Sequence, residues 1–336
     1  MSVGYVIRRL LIFLLVIWVG MTLIFFLPKM VPGRDPIMER MMMLLASGGT
    51  TAEGVKAMIE AYRAKFGLDQ PLLVQYLRYM GNMFRFDFGY SLALYPTTVL
   101  DLIRLALPWT IALLSVSLLL SFTLGTLAGG LLGWPKTPNV FRYVMTPFLL
   151  MSSVPYYLIG LLFIYIFAFR LKIFPIGGGS QIGQIPTTIT FAYVLDLLYH
   201  SILPALSIVV AAIGGWALAM RGMIINTLGE DYIILAQARG LPSRRIFLWY
   251  AMRNALLPQT TSLALATGSV ISGQLLVEAI FRYPGIGNVL FRAIAGFDYF
   301  VIYGVVFFII LTIALATLII DLLYPLLDPR IRYQRS

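Results

Sequence analysis

Charges vanish from the chain in six long, largely apolar runs. Leu10–Pro28 has 19 consecutive uncharged residues, Leu105–Pro135 has 31, Tyr143–Phe169 has 27, Leu197–Met220 and Asn254–Val277 have 24 each, and Tyr299–Ile320 has 22. A helix of about 20 apolar residues crosses a hydrocarbon core, because it satisfies its own backbone where no water can. The pattern predicts an all-α, polytopic membrane protein with six transmembrane helices. A further uncharged run, Ile173–Leu195, holds two prolines, four glycines and several polar residues, and reads as an ordered loop outside the spans. The first run follows Arg8-Arg9, is too long for a signal peptide and lacks a small-x-small cleavage site, so it reads as a retained helix.

Shorter patterns lie between the spans. Val55, Met58, Ile59, Tyr62 and Phe66 recur at helical spacing, as do Leu73, Tyr76, Leu77, Met80 and Phe84 after Pro71. These two stretches predict helices, the second over Leu72–Phe84. Thr98–Leu107 predicts an amphipathic interfacial helix ahead of the second span. After the fourth span, Glu230 and Asp231 open a helical run over Tyr232–Arg239, with acids at the positive end of the dipole. Gly240 ends it, Leu241-Pro242-Ser243 breaks the chain, and Arg244–Leu257 forms a second helix. That second helix sets Arg244, Arg245 and Arg253 beside Ile246, Phe247, Trp249 and Tyr250, which suits either a partner's groove or anionic lipid.

Composition removes other classes. Of 336 residues 60% are hydrophobic and only 12% charged, with a mean hydropathy of +0.89. Soluble domains carry about 25% charge, so a soluble or disordered chain is excluded. The net charge of +11 is explained by orientation rather than by nucleic acid. With the amino terminus inside, Met1–Arg9, Lys136–Arg142, Arg221–Arg253 and the tail from Asp321 onward hold 12 basic residues against 4 acids. The short outer segments Arg170–Asp196 and Glu278–Asp298 hold 2 basic residues each. Short loops rich in lysine and arginine stay inside, so both termini are predicted to be cytoplasmic. The organisation is one transmembrane domain, 1–336, with an extracytoplasmic insertion at 29–104 and a cytoplasmic loop at 221–258.

Candidate chemistry is sparse. Cysteine is absent and His200 is the only histidine, near the outer end of the fourth span, where packing explains it. No Gly-x4-Gly-Lys-Ser/Thr loop occurs, so the chain is not expected to bind nucleotide. The spans contain no ionisable pair of the kind ion-coupled carriers use, and no candidate set for an intramembrane enzyme. Gly125, Gly129 and Gly133 recur every four residues, a spacing that lets helix backbones approach. Ser152, Ser153 and Tyr156 in the third span and Thr267, Ser269, Ser272 and Gln274 in the fifth are the candidate lining of a water-reachable path.

AQARGL followed by RNALLP resembles the cytoplasmic loop of binding-protein-dependent ABC transporter permeases, in the dipeptide, oligopeptide and nickel branch. Ala236, Gly240, Asn254 and Pro258 fall on matching positions. So does YVIRRLLIFLLVIWVGMTLIFFL at the start, Gly67–Ser91 in the insertion, Phe281-Arg282-Tyr283-Pro284-Gly285-Ile286-Gly287, and Asp321–Arg330 at the end. Three departures stand out: Ile234 where many permeases have glutamate, Phe86 where a glycine is common, and 17 residues between Gly240 and Pro258, a spacing longer than in sugar-type permeases and shared by the peptide branch. The resemblance implies the type I importer permease fold in a bacterial or archaeal cytoplasmic membrane, and the long first insertion implies the first of two permease subunits. It implies partners: a second permease, two ATP-binding subunits that use ATP and Mg, an extracytoplasmic binding protein, and lipid. It implies a coupling loop made of Glu230, Ala236, Gly240, Leu241, Ser243, Arg244, Arg245, Asn254 and Pro258. Short peptides are the implied cargo, oligosaccharides the alternative, and nickel the least fitting, since the chain offers a soft metal little ligation.

Overall fold

The computed structural model describes residues 3–30, 70–180, 190–268 and 275–327, together with Ala46, Glu53 and Glu60. The chain forms two compact units, one from Met1–Trp109 with Gly285–Ser336 and one from Thr110–Pro284.

The first unit is built around two apolar helices, α1 (Val3–Phe26) and α11 (Tyr299–Leu327), which pack along each other. Polar groups pin one end of that pair. Tyr5 Oη donates to the Asp321 carbonyl at 2.9 Å, and Arg9 pairs with the Asp321 carboxylate at 2.8 Å. At the other end, a 3-10 turn (Leu27–Met30) precedes the stretch that leads to α2 (Leu72–Phe84). The helix predicted over Leu72–Phe84 is present, and it docks through aromatic rings: Tyr76 and Tyr79 sit 5.5 Å and 5.1 Å from Phe25. The Tyr76 and Thr22 hydroxyls lie 2.7 Å apart, and Lys29 Nζ reaches both Gln75 and the face of Phe25. Burial there lowers the Lys29 pKa and raises that of Tyr79. The helix predicted around Val55–Phe66 lies outside the described residues.

Helix α3 (Val99–Gly133) begins in this unit and runs on into the second. Thr98 caps it, accepting the Asp101 N–H at 3.1 Å. The separate interfacial helix expected over Thr98–Leu107 therefore does not exist: it is the first part of α3. Pro108 removes one backbone hydrogen bond without stopping the helix. Helix α10 (Ile286–Ala295) precedes α11 and packs against it.

The second unit centres on α6 (Phe191–Leu228), which contacts α4 (Asn139–Met151) and α5 (Tyr156–Phe163). Thr190 caps α6 by accepting the Tyr193 N–H at 3.3 Å, so the helix starts earlier than the predicted span and ends later. The glycine stripe of α3 explains the close crossing. A Cβ on Gly125 would lie 2.6 Å from Trp216 Cβ, one on Gly133 would lie 2.8 Å from Ile224 Cβ, and one on Gly129 would overlap the Ala217 carbonyl. The glycines are packing residues, as their spacing suggested.

Two expected spans differ from straight helices. The third is split: α4 and the run Tyr156–Arg170 are bent by 106° at residues 152–155. Pro155 has no N–H to continue the ladder, and the amides of Ser153 and Val154 turn back to Leu150 and Met151. The run ends in a π-helical stretch, Ile164–Arg170. The fifth span is not set off from the preceding loop helix. One helical run, α8 (residues 243–268), passes through Pro258; it is π-helical over Ile246–Met252 and α-helical over Arg253–Gly268. The short α9 (Leu275–Ile280) follows after residues outside the description. Among the described residues four helices are long and apolar enough to cross a membrane, α1, α3, α6 and α11, and the bent pair makes five if it is one span.

Candidate functional site

The segment after α6 folds into a small, packed hairpin. Gly229 closes α6, and Glu230 occupies the extended N-cap position of α7 (Asp231–Ala238), where its carbonyl accepts the Ile233 N–H at 2.9 Å. Its side chain makes no capping hydrogen bond. Gly240 adopts φ +68, and the Leu241 N–H reaches back to the Ala236 carbonyl at 3.3 Å. Left-handed backbone at this position is what glycine supplies without steric cost. Pro242 then fixes the entry to α8 at Ser243.

An apolar core holds this hairpin to the end of α6. Ile233, Ala236, Ile246, Ala251, Met252 and Ala255 pack with Met220, Ile224 and Trp134. The Trp134 and Phe247 rings lie 5.1 Å apart. Sequence patterns singled out neither Trp134 nor Ile233, since a lone tryptophan beside a span and one isoleucine in an apolar run carry no distinctive spacing.

The structure thus divides the candidate loop residues by environment. Ala236 is 3% exposed and belongs to the core. Leu241 and Ser243 are half-buried at the turn. Glu230, Gly240, Arg244, Arg245, Asn254 and Pro258 are exposed, and the Asn254 amide donates to the Tyr250 carbonyl at 2.9 Å within α8. The outward face also carries Ile234 at 54%, Leu235 at 53% and Trp249 at 64% exposure, none of them in the coupling-loop set implied by the resemblance. The π-helical turn gives one more residue per turn. It lets Ile246, Ala251 and Met252 point inward while Leu248 and Trp249 stay exposed.

Of the candidate path residues, Ser152, Ser153 and Tyr156 come together. With Val154 and Pro155 they line a cavity of about 320 Å³ at the bend, closed on the α6 side by Ile208, Ala211 and Ala212. Thr267 lies elsewhere on α8, its hydroxyl donating to the Leu263 carbonyl at 2.9 Å. Ser269, Ser272 and Gln274 lie outside the described residues. His200 is buried in α6, with Nδ1 2.8 Å from the Asp196 carbonyl and 3.2 Å from its carboxylate. Beside it Ser201 Oγ lies 3.0 Å from Tyr283 Oη, whose pKa burial raises.

Residues 121–333 match the family described as the binding-protein-dependent transport system inner membrane component. The chain is 32% identical over 332 residues to the oligopeptide transport system permease protein AppB of Bacillus subtilis, covering 98% of this chain and 99% of that protein. It is 35% identical over 289 residues to the probable D,D-dipeptide transport system permease protein DdpB of Escherichia coli, covering 82% and 84%. It is 31% identical over 330 residues to the oligopeptide transport system permease protein OppB of Haemophilus influenzae, covering 98% and 99%. A helical, strongly apolar chain that matches the family over more than half its length and its permeases over nearly all of it belongs to the binding-protein-dependent transport system inner membrane component family, with the type I permease fold of ABC importers.

Proposed function

We propose that this chain is the first of two permease subunits in an ATP-driven importer of short peptides. It works with a second permease, two ATP-binding subunits that hold ATP and Mg, and an extracytoplasmic binding protein that delivers the cargo. The chain itself hydrolyses no nucleotide and needs no cofactor. It resides in a bacterial or archaeal cytoplasmic membrane with both termini inside. The peptide reading over the oligosaccharide one is supported by the relatives, which are named as oligopeptide and dipeptide permeases.

The observation that carries the proposal is the exposed face of the packed hairpin. Ile234, Leu235, Leu248 and Trp249 are all more than 40% exposed beside exposed Arg244 and Arg245. Water-exposed apolar side chains gain by entering a groove. A rigid hairpin joined to the end of α6 also transmits a push along that helix. In this scheme closure of the ATP-binding subunits moves the hairpin, α6 follows, and the path switches its opening.

The test is reconstitution. The purified chain is expected to show no ATPase activity. The complete assembly is expected to hydrolyse ATP, faster with loaded binding protein, and to accumulate a labelled tripeptide in proteoliposomes. Hydrolysis by the isolated chain, or uptake of oligosaccharide but not peptide, contradicts the proposal.

A further inference from the structure

The bend between α4 and α5 sits in the middle of an uncharged run of 27 residues, the third of the spans expected from the sequence. Non-helical backbone there is tolerated only where it is covered by protein or lines a wet cavity. Within this chain Ser153 and Pro155 are exposed and Ser152, Val154 and Tyr156 half-buried, so the chain by itself leaves the bend open. What it lines is the cavity of about 320 Å³ faced by Ile208, Ala211 and Ala212. This wall is held firmly. A Cβ on Gly214 would lie 2.5 Å from Ser152 Cβ and 2.8 Å from the Phe148 carbonyl, so α6 presses backbone-close against the end of α4.

The size and chemistry of the cavity narrow its occupant. Sites for whole small molecules span about 300 to 1,000 Å³, and this one lies at the bottom of that range. It has room for one large side chain and is too small to take an oligopeptide whole. Two serine hydroxyls and a tyrosine line one side, suited to an amide, while the opposite wall is purely apolar. None of the lining residues is charged, so an ionised side chain would enter without a counter-charge.

We propose that this cavity is a one-residue subsite for cargo, which receives a single neutral side chain of the passing peptide, and that Ala211 and Ala212 set the largest side chain it accepts. This rests on the peptide-permease reading above. Small residues at these two positions leave the space, and larger ones would fill it from the α6 wall.

The test uses the complete transporter in proteoliposomes, with trialanine and Ala-Trp-Ala as probes taken up in parallel. Uptake of neither by the unmodified transporter overturns the peptide reading itself. Given uptake, Ala212→Phe and Ala211→Leu are expected to lower the ratio of Ala-Trp-Ala to trialanine uptake about tenfold or more, and Ala212→Gly to raise it. Assembled variants that keep the unmodified ratio overturn the subsite. Should the larger side chains prevent assembly, Ala212→Cys in this cysteine-free chain is assembled first and then modified with methyl or benzyl methanethiosulfonate. The benzyl adduct is expected to lower the ratio and the methyl adduct to spare it; equal effects overturn the proposal.

Discussion

The Ser91 hydroxyl donates to the Asp298 carboxylate at 2.5 Å across 207 positions of sequence. The same carboxylate accepts the Ala93 N–H at 2.9 Å and the Val301 N–H at 3.3 Å, while Ser91 Oγ accepts the Leu94 N–H at 2.9 Å. Asp298 is 1% exposed and Ser91 fully buried. One carboxylate therefore caps α11 and fastens the chain that leads into α3. Asp298→Ala would strand several donors. Each donor left buried and unsatisfied costs about 1–3 kcal/mol, read as a large fall in melting temperature in detergent. Ser91→Ala removes one charge-assisted bond and is expected to cost about 1.5–3 kcal/mol. A smaller loss in Asp298→Ala than in Ser91→Ala would contradict this network.

Gly240 isolates backbone conformation from packing. Its φ is +68, yet an added Cβ would meet nothing within 4 Å. Gly240→Ala should cost about 1–2 kcal/mol from the left-handed conformation alone, and Gly240→Val more, since β-branching adds to the strain. Gly240→Asn should be better tolerated than either. The check is co-purification with the ATP-binding subunits together with peptide uptake, expected to fall in the order Asn, Ala, Val.

Ala236 and Trp249 lie on opposite faces of the same hairpin and should fail differently. Ala236→Asp drives a charge into the core of Ile233, Ile246 and Met252. It is expected to lower the yield and melting temperature of the chain alone. Trp249→Ala removes a side chain that is 64% exposed. It is expected to leave the isolated chain within about 0.5 kcal/mol of the original stability and to weaken association with the ATP-binding subunits. Equal association of the Trp249 variant would remove this face from the docking surface.

The α3 and α6 crossing predicts a contrast between glycines. Gly129→Ala places a methyl group into the Ala217 backbone, whereas Gly222→Ala meets nothing within 4 Å. The first is expected to destabilise by about 1–3 kcal/mol through forced separation of the helices. The second is expected to be neutral or to stabilise by up to about 1 kcal/mol through helix propensity. Thermal unfolding of both variants in the same detergent decides it.

Membrane insertion, helical class and most of the helix positions follow from where the charges are absent, because a hydrocarbon core penalises both charge and unpaired backbone. Local chemistry also sufficed for the Gly240 turn, the helix over Leu72–Phe84 and the packing role of Gly125, Gly129 and Gly133. Phe86 departs from the glycine common at its position, and the structure gives the reason glycine suits it: φ there is +57. Phe86 occupies the turn while its ring lies 6.1 Å from Phe88 and 5.9 Å from Phe307. Only tertiary structure decided the rest. A hydropathy run counts apolar residues without regard to direction, so it could not show that the third span bends by 106° or that α8 continues through Pro258. Nor could it separate Ala236, in the core, from Ile234, on the surface, because α7 is apolar on both faces and only the packing of Trp134, Met220 and Ile224 chooses which face is inside. The Ser91 and Asp298 pair and the cavity wall at Ala211 and Ala212 belong to the same class. Each joins residues far apart in sequence, and long-range contact leaves no mark on local periodicity.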